Sequence, residues 1–288
     1  MSAQSEVRDY YDENTARFEK FGQGAASIHR AVWAEGVSNR AQAFRYLDRL
    51  IASELEALGA SFPAPLHVLD LGCGLGASLF FLASEQAIVG TGATLSGVQA
   101  QRARERSAAL GLADRVQFLE ADFLNLPETL APAALAFSIE AFIHGPDPAA
   151  YFRAAARYVA PGGRLILCDD FLGPQSSAPR SRRERRWLDE VRTGWLANSL
   201  VSVAEARDLA ASAGFQLRED RDLTPALELR RPRDRALSLL VAFGRHLPIP
   251  GYRWRSWVGG NALQMALVRR LIEYRYLVFE KTPAIAAS

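Results

Sequence analysis

The stretch VLDLGCGLGAS, residues 68–78, predicts the fold of this chain. An apolar run ends at Asp70 and Leu71 and leads into a loop with glycines at positions 72, 74 and 76. A continuous apolar run of this kind is typical of a buried parallel strand. Glycines directly after it let the backbone bend tightly and approach a ligand beside the next helix N-terminus. The spacing G-x-G-x-G differs from the G-x-G-x-x-G of dinucleotide folds, so a pyrophosphate is not the expected ligand.

Strand and helix patterns alternate on the C-terminal side of this loop, which predicts an α/β doubly wound sheet. Apolar or alternating runs predict strands over 66–72, 87–93, 115–122, 133–140, 164–172, 215–224 and 272–283. Helical patterns lie between them, from about 76 and over 96–111, 147–163 and 202–214. Ser96 is the expected N-cap of the second of these helices, and Gly111 its stop.

The remaining segments have helical character. The first 60 residues lack strand signals, and 38–59 is strongly amphipathic. Residues 225–272 are helical and aromatic and interrupt the core before its last strand. We therefore predict one structural domain, made of an N-terminal helical cap (1–60), a core (61–224 with 273–288) and a helical lid (225–272).

The composition limits the classes of protein that this chain can belong to. Hydrophobic residues make up 49% and charged residues 23%, which is ordinary for a globular protein. The apolar runs are shorter than the roughly 18 residues that span a bilayer, and the N-terminus has no apolar signal core. We therefore expect a cytoplasmic protein without a membrane span. No Cys/His cluster has metal-ligand spacing, so no metal site is predicted.

Four motifs in order resemble those of class I S-adenosylmethionine (SAM) methyltransferases. The first is the glycine loop. The second, GTGATLSGVQ (90–99), is similar to the G-x-T-L-S-x-x-Q of the branch holding sterol C-methyltransferases and cyclopropane-fatty-acid synthases. The third is LEADFLNLP (119–127), and the fourth begins at FSIEAFIHGPD (137–147). The resemblance covers about residues 66–222 and the last strand. It implies a Rossmann-like fold with a seven-stranded, mostly parallel sheet, SAM as cofactor and S-adenosylhomocysteine as its product.

The resemblance also implies cofactor contacts. The carboxylate of Asp70 would lie near the methionine amino group. Thr94 and Gln99 would make the polar contacts to the cofactor that the second motif provides. Asp122 would accept the adenine amino group, and Phe123 would lie against the ring. Taken singly, each acid could equally be a cap or turn residue. The predicted cofactor set is Asp70, Gly72, Cys73, Gly74, Gly76, Thr94, Leu95, Gln99, Asp122, Phe123 and Ser138.

Glu140 and His144 are the predicted catalytic residues. The stretch FSIEAFIHGPD resembles the sterol C-methyltransferase pattern Y-x-I-E-A-T-x-H-A-P and departs from it at Phe142, where that family has Thr. Ligands of doubly wound sheets lie beyond the carboxyl ends of the strands, so Glu140 should reach the place where methyl donor and acceptor meet. The alternatives are a cap or Arg-paired carboxylate for Glu140 and a hydrogen-bonded structural histidine for His144.

Aromatic residues near the N-terminus are predicted to contact the substrate. YYDENTARFEKFGQGAASIH (10–29) resembles a segment that covers the pocket in sterol C-methyltransferases. The matched positions are Tyr10, Tyr11, Phe18, Phe21 and His29, and we add Trp33 and Phe142 as aromatic walls that would stabilise a cation. The alternative is that these rings only pack an N-terminal helix on the sheet.

An arginine cluster follows the fifth strand, in PRSRRERRWLDEVRTGW (179–195). We predict that Arg182, Arg186 and Trp187 contact the substrate, with the arginines holding an anionic group such as a prenyl diphosphate. Mg²⁺ is expected only if the substrate is such a diphosphate. The alternative is a solvated helix face, since acidic residues are interleaved with the arginines.

These residues predict a SAM-dependent methyltransferase. We expect C-methylation of an alkene carbon in an apolar, isoprenoid-type small molecule of secondary metabolism, through a carbocation from which Glu140 removes a proton. The alternative is O- or N-methylation of a small metabolite with His144 or Glu140 as base. A nucleic-acid-binding role is a remote alternative, against which the net charge of only +2 argues. A homodimer is left open.

Overall fold

The computed structural model describes Val7, Arg8, Asp12, Thr15 and residues 29–177, 181–244 and 252–283. A single seven-stranded sheet runs in the order β3-β2-β1-β4-β5-β7-β6. The strands are β1 (Leu66–Leu71), β2 (Ile88–Thr94), β3 (Val116–Glu120), β4 (Ala133–Ile139), β5 (Val159–Leu172), β6 (Phe215–Asp222) and β7 (Ile272–Lys281). β1 to β5 pair in parallel, and β7 is antiparallel to both its neighbours. The predicted seven-stranded, mostly parallel sheet is confirmed.

Helices connect the strands and follow the predicted pattern. They are α1 (Arg40–Phe44), α2 (Tyr46–Leu58), α3 (Ala77–Glu85), α4 (Gly97–Ala109), α5 (Pro148–Tyr158), α6 (Arg182–Gly194), α7 (Val203–Ser212), α8 (Pro232–Gly244) and α9 (Tyr252–Val268). The Ser96 side chain caps α4 by accepting the backbone N–H of Gln99. The amphipathic stretch 38–59 forms two helices that meet at Arg45. Both α8 and α9 lie between β6 and β7.

The helix predicted over 147–163 ends earlier than expected. It stops at Tyr158, and Val159 already has the extended dihedral angles of β5. Ala160 precedes Pro161, and the proline ring disfavours helical geometry in the residue before it. The Pro-Gly-Gly sequence therefore lies inside β5 and does not follow the helix as a terminator.

Two apolar cores cover the two faces of the sheet. One joins the sheet to α2, α3, α6 and α9. The other joins it to α5 and α7. With both faces covered, the carboxyl edge of the parallel strands is the place left for a ligand. No helix in the described part of the chain is long and apolar enough to cross a bilayer.

Two glycines of the loop after β1 are required by its geometry. Gly72 has φ +107°, and a Cβ there would lie 2.3 Å from the Ala141 Cβ. Gly76 has φ +77°, and a Cβ there would lie 2.4 Å from the Phe118 ring. Side chains are disfavoured at such angles, and the contacts leave no space for one. The glycine loop is therefore packed directly against the turn that follows β4.

Candidate active site

A cavity opens at the carboxyl edge of the sheet, beyond the ends of β1, β2, β4 and β5. Most of the predicted cofactor and catalytic residues line it, from segments far apart in the sequence. The predicted residues on its wall are His29, Asp70, Gly72, Cys73, Gly74, Thr94, Leu95, Gln99, Asp122, Phe123, Glu140 and His144. Their presence on one wall agrees with the resemblance, while their individual roles stay predictions.

Other predicted residues lie away from this cavity. They are Gly76, Ser138, Trp33, Phe142, Arg182, Arg186 and Trp187. Gly76 is the N-cap residue of α3, and Ser138 is buried within β4. Tyr10, Tyr11, Phe18 and Phe21 lie outside the described residues.

The predicted wall position of Phe142 is corrected by the turn after β4. Its ring is fully buried and packs against the rings of Tyr151 and Phe171, with centroid distances of 5.0 and 5.9 Å. The chain enters a short 3-10 helix at Phe142, which directs this side chain into the core on the α5 side of the sheet. Phe142 therefore supports the turn from behind.

The predicted anion clamp is also placed elsewhere. Arg182 and Arg186 lie on the exposed face of α6, because the buried face of this amphipathic helix carries Trp187, Leu188 and Val191. The helix meets the cavity only at its C-terminal end, where Gly194 lines the wall. None of the arginines that the structure describes in α6 lines this cavity.

The residues present fit SAM at the ribose end. The Thr94 hydroxyl lies 2.9 Å from Gln99 Oε1, which fixes the orientation of the amide. The other end of that amide, Gln99 Nε2, is buried and has no hydrogen-bond partner among the described residues. A buried donor without a partner costs free energy, which a ligand oxygen would relieve. The ribose hydroxyls implied by the resemblance would supply such an oxygen.

Asp70 supplies a buried carboxyl group at the other end of the cofactor region. Burial raises the pKa of Asp70 well above its usual range, and repulsion from the Asp48 carboxylate raises it further. A cationic group beside Asp70 would compensate the buried charge. The amino group of SAM has the charge that this position requires.

Glu140 sits in a strained turn and is held by two hydrogen bonds. Its φ is +53°, an angle that side-chain-bearing residues rarely adopt. Its Oε1 accepts the backbone N–H of Arg30 at 2.9 Å and the hydroxyl of Tyr274 at 2.8 Å. The Arg30 Nε lies 3.9 Å from the same oxygen. The Arg-paired alternative for Glu140 is therefore the arrangement in the structure.

Arg30 joins the N-terminal segment to the end of β5. Its guanidinium donates two parallel hydrogen bonds to Asp170, both of 2.6 Å, and lies 4.7 Å from the centre of the Tyr274 ring. Burial by itself would lower the pKa of Arg30, but the carboxylates of Asp170 and Glu140 outweigh it and raise the pKa well above its usual value. Arg30 is thus a permanent cation shared between two carboxylates.

His144 lines the cavity in a defined tautomer. Its Nδ1 lies 3.2 Å from the carbonyl oxygen of Leu196, and a carbonyl can only accept, so Nδ1 carries the proton. Burial lowers the pKa of His144, with the carbonyl hydrogen bond and the Glu140 charge opposing the shift. The imidazole is therefore neutral near pH 7, with Nε2 able to accept a proton.

His29 is a second histidine on the cavity wall. Its Nδ1 lies 3.2 Å from the Arg30 carbonyl oxygen. Its Nε2 is buried and has no hydrogen-bond partner among the described residues. A polar group of the acceptor molecule would satisfy this nitrogen, which agrees with the predicted substrate contact.

Sequence reasoning missed Arg30, Asp169, Asp170 and Tyr274. Asp169 and Asp170 are adjacent acids in the apolar strand β5, and both line the cavity. The argument that singled out Glu140, a carboxylate at the end of a buried strand, could have found them. Arg30 and Tyr274 carried no local signal, because their partners are distant in the sequence.

We expect the Kd for SAM to fall as the pH rises toward the raised pKa of Asp70 and to level off above it. The cofactor's ammonium group favours the carboxylate, so Asp70 must lose its proton for tight binding. Calorimetry from about pH 5 to about pH 7 avoids titration of the cofactor's own amino group. Asp70→Asn should raise the Kd by about 30-fold or more and remove the pH dependence. A pH dependence kept by this variant would contradict the assignment.

The fold and the cavity define a nucleotide-type cofactor site at the carboxyl edge of a methyltransferase-like sheet. A family model described as a methyltransferase domain matches residues 68–163. The chain is 32% identical over 256 residues to methyltransferase GfsG of Streptomyces halstedii, which covers 85% of this chain and 84% of that protein. It is 29% identical over 198 residues to 27-O-demethylrifamycin SV methyltransferase of Amycolatopsis mediterranei (strain S699), with 69% and 70% covered.

A solved structure has the same fold over nearly the whole chain. Geranyl diphosphate C-methyltransferase from Streptomyces coelicolor A3(2), in complex with Mg²⁺, geranyl diphosphate and S-adenosyl-L-homocysteine, aligns with a TM-score of 0.69 at 16% identity, covering 98% of this chain and 99% of that one. The chain belongs to the class I SAM-dependent methyltransferases. It is an enzyme whose cofactor is SAM.

Proposed function

We propose that this methyltransferase methylates a hydroxyl oxygen of an apolar, uncharged small molecule, with His144 as general base. The observation that carries the proposal is the neutral imidazole on the cavity wall, oriented by its hydrogen bond to the Leu196 carbonyl. A base of this kind can take the proton that an alcohol or phenol loses during methylation. The name of the rifamycin relative describes an O-methylation, which supports this reaction class.

The chain's own residues divide the work of binding and proton transfer. Bound SAM supplies an electrophilic methyl group on a sulfonium. Asp70 holds the amino group of the cofactor and Gln99 its ribose, and the glycine loop lets the backbone approach it. His29 orients the acceptor through its Nε2. The acceptor O–H bond breaks and its proton goes to His144 Nε2, while the oxygen would bond to the methyl carbon as the bond from that carbon to sulfur breaks, leaving S-adenosylhomocysteine. The alignment of the methyl donor with the acceptor supplies the rest of the rate enhancement, together with the exclusion of water from the cavity.

The charges at the acceptor end of the cavity, which is the part beside Glu140, favour an uncharged substrate. The carboxyl groups of Glu140, Asp169 and Asp170 line this end, and Arg30 is the one guanidinium among the lining residues that the structure describes. Asp170 accepts two hydrogen bonds from Arg30, and Glu140 lies 3.9 Å from its Nε, so two carboxylates already balance the charge of this guanidinium. The arginines expected to hold a diphosphate lie on the exposed face of α6. Among the described residues, no group of His, Cys, Asp and Glu side chains is arranged to hold a metal ion.

C-methylation of an alkene is the second candidate, and one observation favours it. Glu140 lines the cavity, and the described residues at the acceptor end include more carboxyl groups than cations. Negative charge near the acceptor would stabilise a carbocation, and Glu140 could remove the proton that follows. The hydrogen bonds from Arg30 and Tyr274 hold Glu140 against the protein, which is why we rank this reaction second.

Methyl-labelled SAM and a matched panel of acceptors test the reaction class. The panel pairs each apolar alcohol or phenol with its alkene analogue and its methyl ether, and it includes a prenyl diphosphate. We expect label in a methoxy group, detected by mass spectrometry and located by NMR, and none with the methyl ethers. Label on carbon of the alkene analogues, or turnover of the prenyl diphosphate alone, would contradict O-methylation of an uncharged acceptor.

A further inference from the structure

Helix α8 presents an apolar stripe to solvent. Ala236, Leu239, Leu240 and Phe243 are exposed and follow the i, i+3, i+4, i+7 spacing of one helix face. The side chains of Leu239, Leu240 and Phe243 are 62%, 50% and 76% exposed. Soluble proteins seldom leave several large apolar side chains together on one surface without a use for them.

Arginines border this stripe on one side. Arg183 and Arg186 of α6 and Ser238 and Ala242 of α8 line a groove between the two helices. No acidic residue is among the groove's lining side chains. The Arg183 guanidinium lies 4.8 Å from the centre of the Trp187 ring, which holds it at the groove. Leu239 of the stripe and Ala242 of the groove are three residues apart on α8 and are therefore neighbours on its surface, so the basic groove adjoins the apolar stripe.

Positive charge is concentrated in the segments that form this surface. The sequence of α6 has five arginines and three acidic residues. Residues 228–235, which lead into α8, have four arginines and two acidic residues. Each of these two segments has a net charge of +2, so together they have +4. The formal net charge of the whole chain is only +2, so the remaining residues are net acidic. The attraction for an anionic partner is therefore directed to this face.

We propose that the surface formed by α8 and the α6 arginines docks on an anionic lipid surface. Exposed leucine and phenylalanine side chains beside arginines are the combination by which an interfacial helix binds lipid, with apolar groups in the acyl boundary and cations at the headgroups. Helix α6 also reaches the cavity, through Gly194 at its C-terminal end. Docking would bring the cavity near a bilayer, where apolar molecules accumulate. The inference stands independently of the reaction that the enzyme catalyses.

Co-sedimentation with vesicles tests the proposal on the full chain. The probes are vesicles of phosphatidylcholine alone and of phosphatidylcholine with phosphatidylglycerol at a ratio of about 7:3, at low and high salt. We expect binding to the anionic vesicles that weakens at high salt. Leu239→Ser with Phe243→Ser should lower the partition coefficient about tenfold, and Arg183→Glu with Arg186→Glu should lower it by a similar factor.

Val98→Ser with Leu110→Ser is the matched control. These two side chains are 43% and 52% exposed on or next to α4, which packs against β2 and β3, so the control should bind as the unaltered protein does. Circular dichroism confirms that each variant is folded. Absence of binding to anionic vesicles, or equal loss in the control, would overturn the proposal. A concentration-dependent dimer that the α8 variants abolish, seen by light scattering, would assign the surface to a second copy and overturn it as well.

Discussion

Replacing His144 with alanine is expected to lower kcat by about 10²- to 10⁴-fold, while the Kd for SAM changes little. The imidazole lines the cavity, and its lowered pKa keeps it neutral, so its loss removes the group that takes the acceptor proton. Single-turnover kinetics measures the chemical step, and calorimetry measures SAM binding separately. In the unaltered enzyme the acid limb of the kcat/KM profile should lie at lower pH than for an ordinary histidine, because burial lowers the pKa of His144.

Glu140→Gln is the matched comparison, because glutamine keeps an oxygen that accepts the hydrogen bonds from Arg30 and Tyr274. If His144 is the base, this variant should keep most of the activity. The opposite pattern, in which Glu140→Gln abolishes turnover and His144→Ala keeps it, would identify Glu140 as the base and favour C-methylation. His144→Ala with unchanged kcat would remove the basis of the proposed function.

Arg30→Ala is expected to lower the free energy of unfolding by about 3–5 kcal/mol. Arg30 is the partner of Asp170, whose side chain is only 1% exposed, and its removal leaves that carboxylate buried without a counter-ion. The hydrogen bond from the backbone N–H of residue 30 to Glu140 remains in the variant, so the loss of stability measures the contribution of the guanidinium. Urea unfolding measures the effect as a shift of the midpoint at unchanged slope.

Two further variants distinguish the loss of the buried ion pair from the loss of a positive charge in general. Arg207→Ala breaks a pair with Asp208 whose side chains are 56% and 70% exposed, and exposed pairs contribute little, about 0–1 kcal/mol. Adding Asp170→Asn to Arg30→Ala removes the uncompensated charge and should recover part of the lost stability. If Arg30→Ala and Arg207→Ala destabilise equally, or if Asp170→Asn recovers nothing, the buried pair does not have the assigned role.

The fold and the cofactor end of the site could be predicted from the sequence because their signals are local. An apolar run followed by spaced glycines indicates a buried strand and a tight loop within a dozen residues. Gly72 shows why the signal is reliable, since its φ and its contact with Ala141 exclude a side chain. Asp70, Thr94 and Gln99 each adjoin a strand end, so the order of the motifs was enough to bring them to one edge.

The acceptor end could be predicted only in part. Glu140 and His144 reached the cavity as expected, since both follow the end of β4. Phe142 lies between them in sequence and was expected on the same wall, but a 3-10 turn directs it into the core. The arginines of α6 follow β5 closely, yet the helix presents them to solvent and meets the cavity only at its last turn.

By itself the sequence determined the sheet, the glycine loop and the placement of Asp70 and Thr94 at one edge, because strand burial and backbone turns depend on neighbouring residues. Only the tertiary structure decided which groups Glu140 contacts. Its partner Arg30 is 110 residues away in the sequence, and Arg30 meets Asp170 from a distance of 140 residues. Such pairs form when packing brings separate segments together, and their charges then shift the pKa values of the groups around them.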